Sequence, residues 1–450
     1  MARKRLIALL AVVAMIVPML TLTACEGNTN GTTKPEDQEP VSLRLMTSWT
    51  SGSAAYEQIT QALADFKTAN PNITVVHDAL PSADLRTKLT TEMATGNPPD
   101  ISWCVLSYAR EFIKDNKIID WAPVFDDPRH PEFKQWFDEK SLYFAKSPDG
   151  KIMMVPQEAS IDGLYYDTKL FADNGWTPPQ NFDQFIDIIG KAKAKGMVGI
   201  AVGGKDMRFA WMASALLVRA GGLTKANELC LGTDATRFSN PDYGFVGAME
   251  KFKELVDAEA FSPSVLGMSA AEADTMFANN QAAFYYEGAW KPGNFKTNGS
   301  QEFVDRLERV NFPAMTDMPG DVDINVGGNI IGFFIASGLP DAKTQACIKV
   351  AKVIASPEFN VPIMEKGGFV YAGNATYDET KVSKVMNQLI KAYRDAKGFI
   401  PSMDSLAPPS VDLAIKQTVM PGIITGEYDV DEAVAEVQRV MQEYLDSAKK

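Results

Sequence analysis

Thiol and imidazole side chains are the groups that most often hold a metal or act as a nucleophile, and this 450-residue chain has few of them. It contains four cysteines, at positions 25, 104, 230 and 347, and two histidines, His77 and His130. No two cysteines form a Cys-x-x-Cys motif, and the histidines lie far apart in sequence. The spacing predicts no metal site and no Cys- or His-based catalytic centre. It allows at most one disulfide among the last three cysteines and favours buried free thiols.

Carboxylates and glycine runs could also do chemistry, but neither is arranged in a specific motif. The chain has 57 Asp and Glu residues, so a pair at the separation used by glycosidases is expected by chance. The glycine-containing stretches 199–204 and 327–332 lack the Lys-Ser/Thr that completes a phosphate-binding loop, and we interpret them as turns. The sequence therefore predicts no catalytic residue and no cofactor.

Charge and length limit the remaining classes of function. The formal net charge is -13 and the pI is about 4.9, which argues against nucleic acid as a partner because such binding selects basic surfaces. The length exceeds what a single hydrophobic core usually supports, so two or three domains are expected.

The first 24 residues have the pattern of a secretory signal peptide. Arg3, Lys4 and Arg5 precede an apolar run from Leu6 to Leu20, which is shorter than the roughly 20 residues that a bilayer-spanning helix needs. The run leads to Leu22-Thr23-Ala24-Cys25, which resembles the bacterial lipobox, where the cysteine is lipidated and becomes the first mature residue. The alternative is an ordinary signal peptide followed by a chance cysteine. The lipobox predicts a protein that is lipid-anchored through Cys25 to the outer face of the cell membrane.

Residues 25–40 are predicted to form a disordered tether behind that anchor. The stretch from Glu26 to Pro40 contains no large apolar residue, so it cannot bury enough surface to offset the entropy of ordering. The folded part would then stay close to the membrane and remain free to turn.

Alternating strands and helices follow the tether. Val41–Met46 alternates apolar and polar residues as a strand does, and the next apolar residues recur at helical spacing. The predicted order is strand 41–46, helix 56–69, strand 73–77, helix 85–95 ending at Gly96, and strand 100–104. Such a βαβαβ unit predicts a parallel sheet with ligands at the carboxyl ends of its strands. This rule predicts that a ligand contacts the loops 48–51, 79–82 and 104–107.

A second α/β unit is predicted from residue 151 onward. The sequence predicts a strand over 152–155 that stops at Pro156, a helix over 211–218 that ends at Gly221-Gly222, and a mostly surface-exposed connection over 291–323. The other predicted elements are strands 164–166, 197–202, 282–286 and 329–336, and helices 183–194, 248–256 and 341–354. The last helix begins at Asp429, with Glu432 three residues later as in a capping box.

Five groups of residues, in this order along the chain, resemble the carbohydrate-binding solute receptors of ABC importers, the family that includes maltose-binding protein. The resemblance covers residues 41–450 and lies in the following motifs: Trp49 with Phe66, Pro71, Ile73 and Val75; Gly96-Asn97-Pro98-Pro99-Asp100-Ile101; Gly163 to Phe171 with Gly175-Trp176; Phe277 to Ala283 leading to Gly288-Ala289-Trp290; and Gly327-Gly328 with Ser356-Pro357-Glu358-Phe359.

The resemblance implies an α/β protein with a two-lobed, periplasmic-binding-protein-like fold. Each lobe would hold a mostly parallel sheet flanked by helices, and three chain crossings would form a hinge that closes around the ligand. The implied divisions are 41–157 and 329–380 for lobe 1, and 158–328 and 381–450 for lobe 2. The three crossings would lie near 157–162, 326–330 and 376–383.

The resemblance also implies which side chains contact a ligand between the lobes. Aromatic rings would cover the C–H faces of sugar rings while polar groups bind the hydroxyls. The implied residues are Trp49, Trp103 and Ser107 in lobe 1, Arg208, Trp211, Glu287 and Trp290 in lobe 2, Gly328 and Asn329 on a crossing, and Phe369 after Gly367-Gly368. For Trp211 a role in core packing is the alternative, and for Glu287 a solvated or hinge-bonding carboxylate. The proline that relatives carry near Phe369 is absent here.

The function implied by this resemblance is capture of a sugar or oligosaccharide and its delivery to ABC permease subunits, by a monomer without enzymatic activity. One alternative is a binding protein for a polyamine, peptide or phosphodiester, and another is a surface-anchored glycan hydrolase. Acidic residues around the aromatic rings would favour a cation, whereas tryptophan beside neutral amides would favour a sugar.

Overall fold

The protein has eleven β-strands and twenty α-helices in the part described by this computed structural model, which covers residues 39–147, 149–318 and 320–447. Side chains at 83, 298, 329, 330, 404 and 405 lie outside that description. The strands are β1 Val41–Thr47, β2 Ile73–Ala79, β3 Ile101–Val105, β4 Val155–Ile161, β5 Gly163–Asp167, β6 Val198–Ala201, β7 Ala282–Glu287, β8 Leu307–Val310, β9 Ile324–Ile335, β10 Val370–Tyr371 and β11 Gly398–Ile400.

The helices alternate with these strands over most of the chain. They are α1 Ala54–Ala69, α2 Ser82–Thr95, α3 Leu106–Lys114, α4 Ala122–Asp126, α5 Glu132–Trp136, α6 Glu139–Leu142, α7 Thr168–Asp173, α8 Phe182–Lys193, α9 Phe209–Cys230, α10 Phe245–Asp257, α11 Ala270–Ala278, α12 Lys291–Asn298, α13 Gln301–Arg306, α14 Asp341–Ala355, α15 Pro357–Glu365, α16 Lys384–Asp395, α17 Met403–Leu406, α18 Pro409–Ala414, α19 Met420–Thr425 and α20 Val430–Ser447.

Two sheets organise the molecule, as the two-lobed prediction requires. The first has the strand order β10-β4-β9-β3-β1-β2, with β11 pairing β9, and the second has the order β6-β7-β5-β8. We call the parts built on the first and second sheets lobe 1 and lobe 2. The finer residue bounds predicted for the lobes stay a prediction.

The sheets are mixed, which corrects the expectation of mostly parallel sheets. Strands β1–β2, β1–β3, β6–β7 and β9–β11 pair in parallel, as the βαβ pattern predicts, but the other described pairs are antiparallel. In lobe 1 the antiparallel pairs all involve β4 or β9, and in lobe 2 they both involve β5. The direction of these strands depends on their partners elsewhere in the chain, which periodicity within one segment does not reveal.

Strand β4 runs through the position where the sequence predicts a strand to stop. Pro156 lies opposite Gly332 of β9, and the register shifts between Pro156 and Glu158. Such an irregularity accommodates a residue without an N–H. Strand β10 pairs with Glu158 and Ala159 and does not extend to Pro156. The N–H that proline lacks is therefore not needed for a hydrogen bond to β10.

The segment 291–323 is not the surface connection that the sequence predicts. It forms α12, α13 and β8, and β8 pairs antiparallel with β5. Phe295, Phe303 and Leu307 are buried in a core with residues of α11 and β7. Short helices with few periodic apolar residues give little signal in sequence, and their burial comes from elements elsewhere in the chain.

Helix α9 is interrupted at the predicted helix end. Gly222 has non-helical dihedrals, with φ at 76° and ψ at 167°, so the regular helix that begins at Phe209 breaks there, and a second helical stretch continues to Cys230. From Phe209 to Ala220 the helix is apolar and buried on nearly all sides, as expected of a helix inside a core. The first turn of α9 thereby holds Trp211 at the end of lobe 2 where β6 and β7 finish.

Candidate functional site

Two tryptophans meet where β7 ends and α9 begins. Trp290 follows Gly288 directly after β7, and its ring lies edge-on to the Trp211 ring, with centroids 5.4 Å apart and planes at 80°. A Cβ at Gly288 would overlap the Trp290 ring, so glycine is required there for the indole to fold back. Both rings are only partly buried, which leaves aromatic surface for a ligand.

An arginine and a carboxylate frame these rings. The Arg208 guanidinium carbon lies 4.1 Å from the centre of the Trp211 ring, a cation–π distance. Arg208 Nε is 3.5 Å from Glu287 Oε1, and neither Glu287 oxygen has a hydrogen-bond partner in the part of the chain that the structure describes. Burial raises the pKa of Glu287, although Arg208 and Lys291 act against that shift. Glu287 is thus a buried carboxyl with unused hydrogen-bonding capacity.

A buried hydrogen-bonded network fixes the start of α12 behind Trp290. Lys291 Nζ donates to Asp274 Oδ1 at 2.7 Å, and the Tyr285 hydroxyl donates to the same oxygen at 2.6 Å. The Lys291 and Asp274 side chains are almost inaccessible to solvent. Removing either one would leave the other as an uncompensated buried charge. Tyr165 adds a hydrogen bond of 2.8 Å to the carbonyl of Gly288. The Trp290 backbone is therefore held on both sides.

The candidates in lobe 1 are mostly enclosed. Trp49 and Trp103 are 5% and 4% exposed and lie in the lobe 1 core, and Phe369 is 3% exposed in the same core. The Trp49 ring packs against Phe333 and Phe359 at 5.5 and 5.6 Å. The loop that leads to Phe369 does approach the segment after Trp290, since Gly293 N donates to the Gly367 carbonyl at 2.9 Å. Contact of Trp49, Trp103 or Phe369 with a ligand stays a prediction.

The remaining predicted residues have separate locations. Ser107 lies in the second position of α3 and lines a large cavity. Gly328 lies in β9 with φ at 106°, where a Cβ would overlap the Phe144 ring. The Asn329 side chain lies outside the described residues, as does the lipidation candidate Cys25.

The cavity that Ser107 lines has a volume of about 1800 Å³, above the usual range of roughly 300–1,000 Å³ for small-ligand pockets. Lobe 1 contributes Arg86 near the start of α2 and Tyr108 beside Ser107, and lobe 2 contributes Leu413 and Lys416. Gln417, the next residue, contacts Met207 Sδ at 3.6 Å, and Met207 precedes Arg208. One wall of the cavity therefore lies near the segment that leads into α9, while Arg208, Trp211, Glu287 and Trp290 are not themselves among the residues that line the cavity.

Sequence reasoning missed most of the cavity wall. Tyr108 could have been found, because it directly follows the strand-end loop 104–107 that the parallel-sheet rule selects. Leu413 and Lys416 gave no signal, since they lie in a helical stretch far along the chain from any predicted cleft loop.

No group of three or more His, Cys, Asp or Glu residues suited to a metal occurs among residues the structure describes. Cys104, Cys230 and Cys347 are buried free thiols, which confirms that part of the sequence prediction. Burial raises the pKa of each, to about 12 at Cys230 and Cys347, so these thiols stay protonated at neutral pH. Within the described ranges, helices that combine the length and apolar content needed to cross a bilayer are absent.

Solved structures share this fold. A protein described as a chitin oligosaccharide binding protein superposes with a TM-score of 0.79 and 23% identity, over 90% of this chain and 98% of that one. At this identity the similarity establishes the fold alone, which is that of the two-lobed solute-binding proteins. Residues 47–361, more than half of the chain, also match the family described as bacterial extracellular solute-binding protein. The chain belongs to this family, whose members work outside the cytoplasm.

Curated relatives carry binding-protein names. The chain is 24% identical over 245 residues to the diacetylchitobiose binding protein of Streptomyces coelicolor, which is 52% of this chain and 50% of that protein. It is 26% identical over 423 residues to the probable sugar-binding periplasmic protein of Mesorhizobium japonicum, 89% and 93% of the two chains. The chain thus spans about half the length of the first relative and most of the second.

Proposed function

We propose that this protein captures a saccharide between its lobes and delivers it, chemically unchanged, to an ABC permease. The observation that carries the proposal is the partly exposed Trp211–Trp290 pair, framed by Arg208 and Glu287, near a cavity large enough for an oligosaccharide. Indole faces suit the C–H faces of sugar rings, and the buried Glu287 carboxyl offers acceptors for hydroxyl groups. The sugar-binding names of relatives support the same class of ligand.

The alternative of a cationic ligand such as a polyamine finds less support. Eight lysine and arginine side chains line the cavity, against four carboxylates. An excess of positive groups would repel a polycation, whereas a neutral or acidic sugar is compatible with it.

A thermal-shift screen of the mature protein against mono- and oligosaccharides tests the proposal. A ligand that binds the folded state raises apparent stability by RT ln(1 + [L]/Kd), about 2.7 kcal/mol at a hundredfold excess over Kd. At least one saccharide is expected to raise the melting temperature. A panel in which spermidine or a peptide stabilises the protein and no saccharide does would contradict the proposal.

The absence of turnover is part of the proposal and has its own test. The stabilising saccharide is incubated with purified protein and recovered for mass spectrometry and chromatography. We expect it unchanged, because the protein belongs to a family of binding proteins and the described thiols are buried. Shortened products that scale with protein concentration would instead support the hydrolase alternative.

We further propose that lipid on Cys25 holds the protein at the outer face of the membrane. The Leu22-Thr23-Ala24-Cys25 motif supports this proposal, and the extracellular family is consistent with it. In Cys25→Ser the protein should lose the lipid mass and leave the membrane fraction. Unchanged fractionation together with an unlipidated wild-type mass would contradict it.

A further inference from the structure

The large cavity has the opposite charge from the protein as a whole. The chain carries a formal net charge of -13, yet eight basic side chains line the cavity and four acidic ones, Glu111, Glu139, Asp149 and Asp412. Chance placement on an acidic surface would give more carboxylates than cations. The excess of four positive groups is therefore a feature of this cavity rather than of the composition.

Several of these cations have no acidic partner within the described part of the chain. Three others are paired: Lys151 with Asp149 at 3.1 Å, Lys397 with Asp323, and Lys416 with Asp412. Arg86, Lys114 and Lys146 form no ion pair with any described residue. The Nε of Arg86 is in addition a buried donor without a hydrogen-bond partner among those residues. A buried donor of this kind costs free energy unless something else binds it.

Two further cations are held where water solvates them poorly. Burial lowers the pKa of the Arg110 guanidinium and is the main cause that lowers the pKa of Lys140. Lys140 donates to the backbone carbonyls of Tyr393 and Arg394, both at 2.7 Å, and the nearby Asp138 and Asp395 oppose the lowering of its pKa. An anion inside the cavity would offset the cost of holding these groups charged.

Exposed apolar side chains lie on the same walls. Tyr143, Leu231, Leu413 and Tyr444 line the cavity with exposures of 69%, 60%, 45% and 39%, and they are four of the six large apolar side chains exposed in the described part of the chain. Exposed apolar residues that gather at one place mark a binding surface. Rings beside cations suit a ligand with flat C–H faces and negative groups.

We propose that the cavity selects a saccharide that carries carboxylate groups, as oligomers of uronic acids do, and that Arg86 pairs with one of these carboxylates. The planar guanidinium matches a carboxylate in a bidentate arrangement. The tyrosines and leucines cover the sugar rings, and the other basic side chains supply a favourable potential. This inference rests on the proposed function, because it assumes that a saccharide occupies the cavity.

Calorimetric titration of the mature protein with trigalacturonate, trimannuronate and their methyl esters tests the preference. The esters keep the sugar skeleton and remove the charge. At least one acid should bind ten times or more tighter than its own ester, and its affinity should fall as NaCl rises from about 50 to 500 mM, because salt screens exposed charges.

The outcomes separate this inference from the function on which it rests. If a neutral oligosaccharide binds while no uronate binds more tightly than its ester, the acidic preference is wrong and the proposed function stands. If no saccharide binds at all, both are wrong. Binding of glucose 6-phosphate without binding of any uronate would show a phosphate site and overturn the carboxylate assignment.

The variant Arg86→Gln tests the assigned side chain. It should weaken binding of the preferred uronate about tenfold and binding of its methyl ester less than twofold, with an unchanged melting temperature without ligand. The matched control is Lys349→Gln on α14, an exposed lysine outside the cavity, which should change neither affinity. An equal loss for acid and ester in Arg86→Gln would contradict a carboxylate contact and assign Arg86 to packing.

Discussion

The candidate tryptophans of the two lobes have different surroundings, although Trp49 and Trp290 each follow the end of a strand. In lobe 1, Trp49 and Trp103 are 5% and 4% exposed, and their indole nitrogens are buried without a hydrogen-bond partner among the described residues. In lobe 2, Trp211 and Trp290 keep part of their rings exposed. The burial of Trp49 is explained by helix α15, because Phe359 of that helix packs against the Trp49 ring. A position after a strand therefore makes a tryptophan a candidate, and the helix packed over it determines whether solvent reaches it.

The largest effect that this comparison predicts is on stability. Trp49→Ala should lower the free energy of unfolding by about 3–5 kcal/mol, because a large buried ring leaves a cavity between Phe333 and Phe359. Urea denaturation measures the loss, with Trp290→Ala as the matched control, for which we expect less than about 1 kcal/mol. Equal losses in the two variants would remove the distinction between the lobes.

A buried carboxyl in strand β4 gives the next largest effect. Burial raises the pKa of Glu158 from 4.5 to about 8, so the folded state holds the proton more tightly than the unfolded chain does. Glu158 therefore makes its full contribution to the free energy of unfolding at low pH. This contribution falls by up to a few kcal/mol as pH rises from about 4.5 to about 8. Glu158→Gln should flatten the free energy of unfolding across this window, and a pH dependence equal to that of wild type would contradict the assignment.

Affinity should respond most to the exposed aromatic pair. Trp290→Ala should weaken binding of the stabilising saccharide by about one to two orders of magnitude, since roughly 1–3 kcal/mol follows from covering a large apolar side chain. Calorimetry measures this change beside the stability of the unliganded variant. A small loss of affinity with a large loss of stability would mean that Trp290 is a core residue like Trp49.

The smallest predicted effect concerns the stacked arginine. Arg208→Lys keeps the charge but loses the planar contact 4.1 Å from the Trp211 ring, which contributes about 0.5–1 kcal/mol at such sites. Saccharide affinity should fall a few-fold. Arg439→Lys on the exposed face of α20, where Arg439 pairs with Glu436 and Glu443, is the control and should leave affinity unchanged.

Several features follow from the sequence alone because neighbours within a few residues decide them. The order β1-α1-β2-α2-β3 matches the predicted βαβαβ unit, and Gly96 ends α2 in the left-handed region at φ 75°. At the start of α20, Glu432 N donates to Asp429 at 2.8 Å and Asp429 N donates to Glu432 at 3.0 Å, which confirms the capping box. Periodicity and capping are local, so one segment of sequence is sufficient to predict them.

Tertiary structure alone decided the exposure of the tryptophans, the path of β4 through Pro156, and the charge of the cavity. Arg86 and Lys416 are 330 positions apart in the chain and line the same cavity. Helical spacing places each on a face of its own helix but does not say what that face meets. The local pattern fixes which side chains can point outward, whereas packing between distant elements fixes which of them converge, and a binding site is made by that convergence.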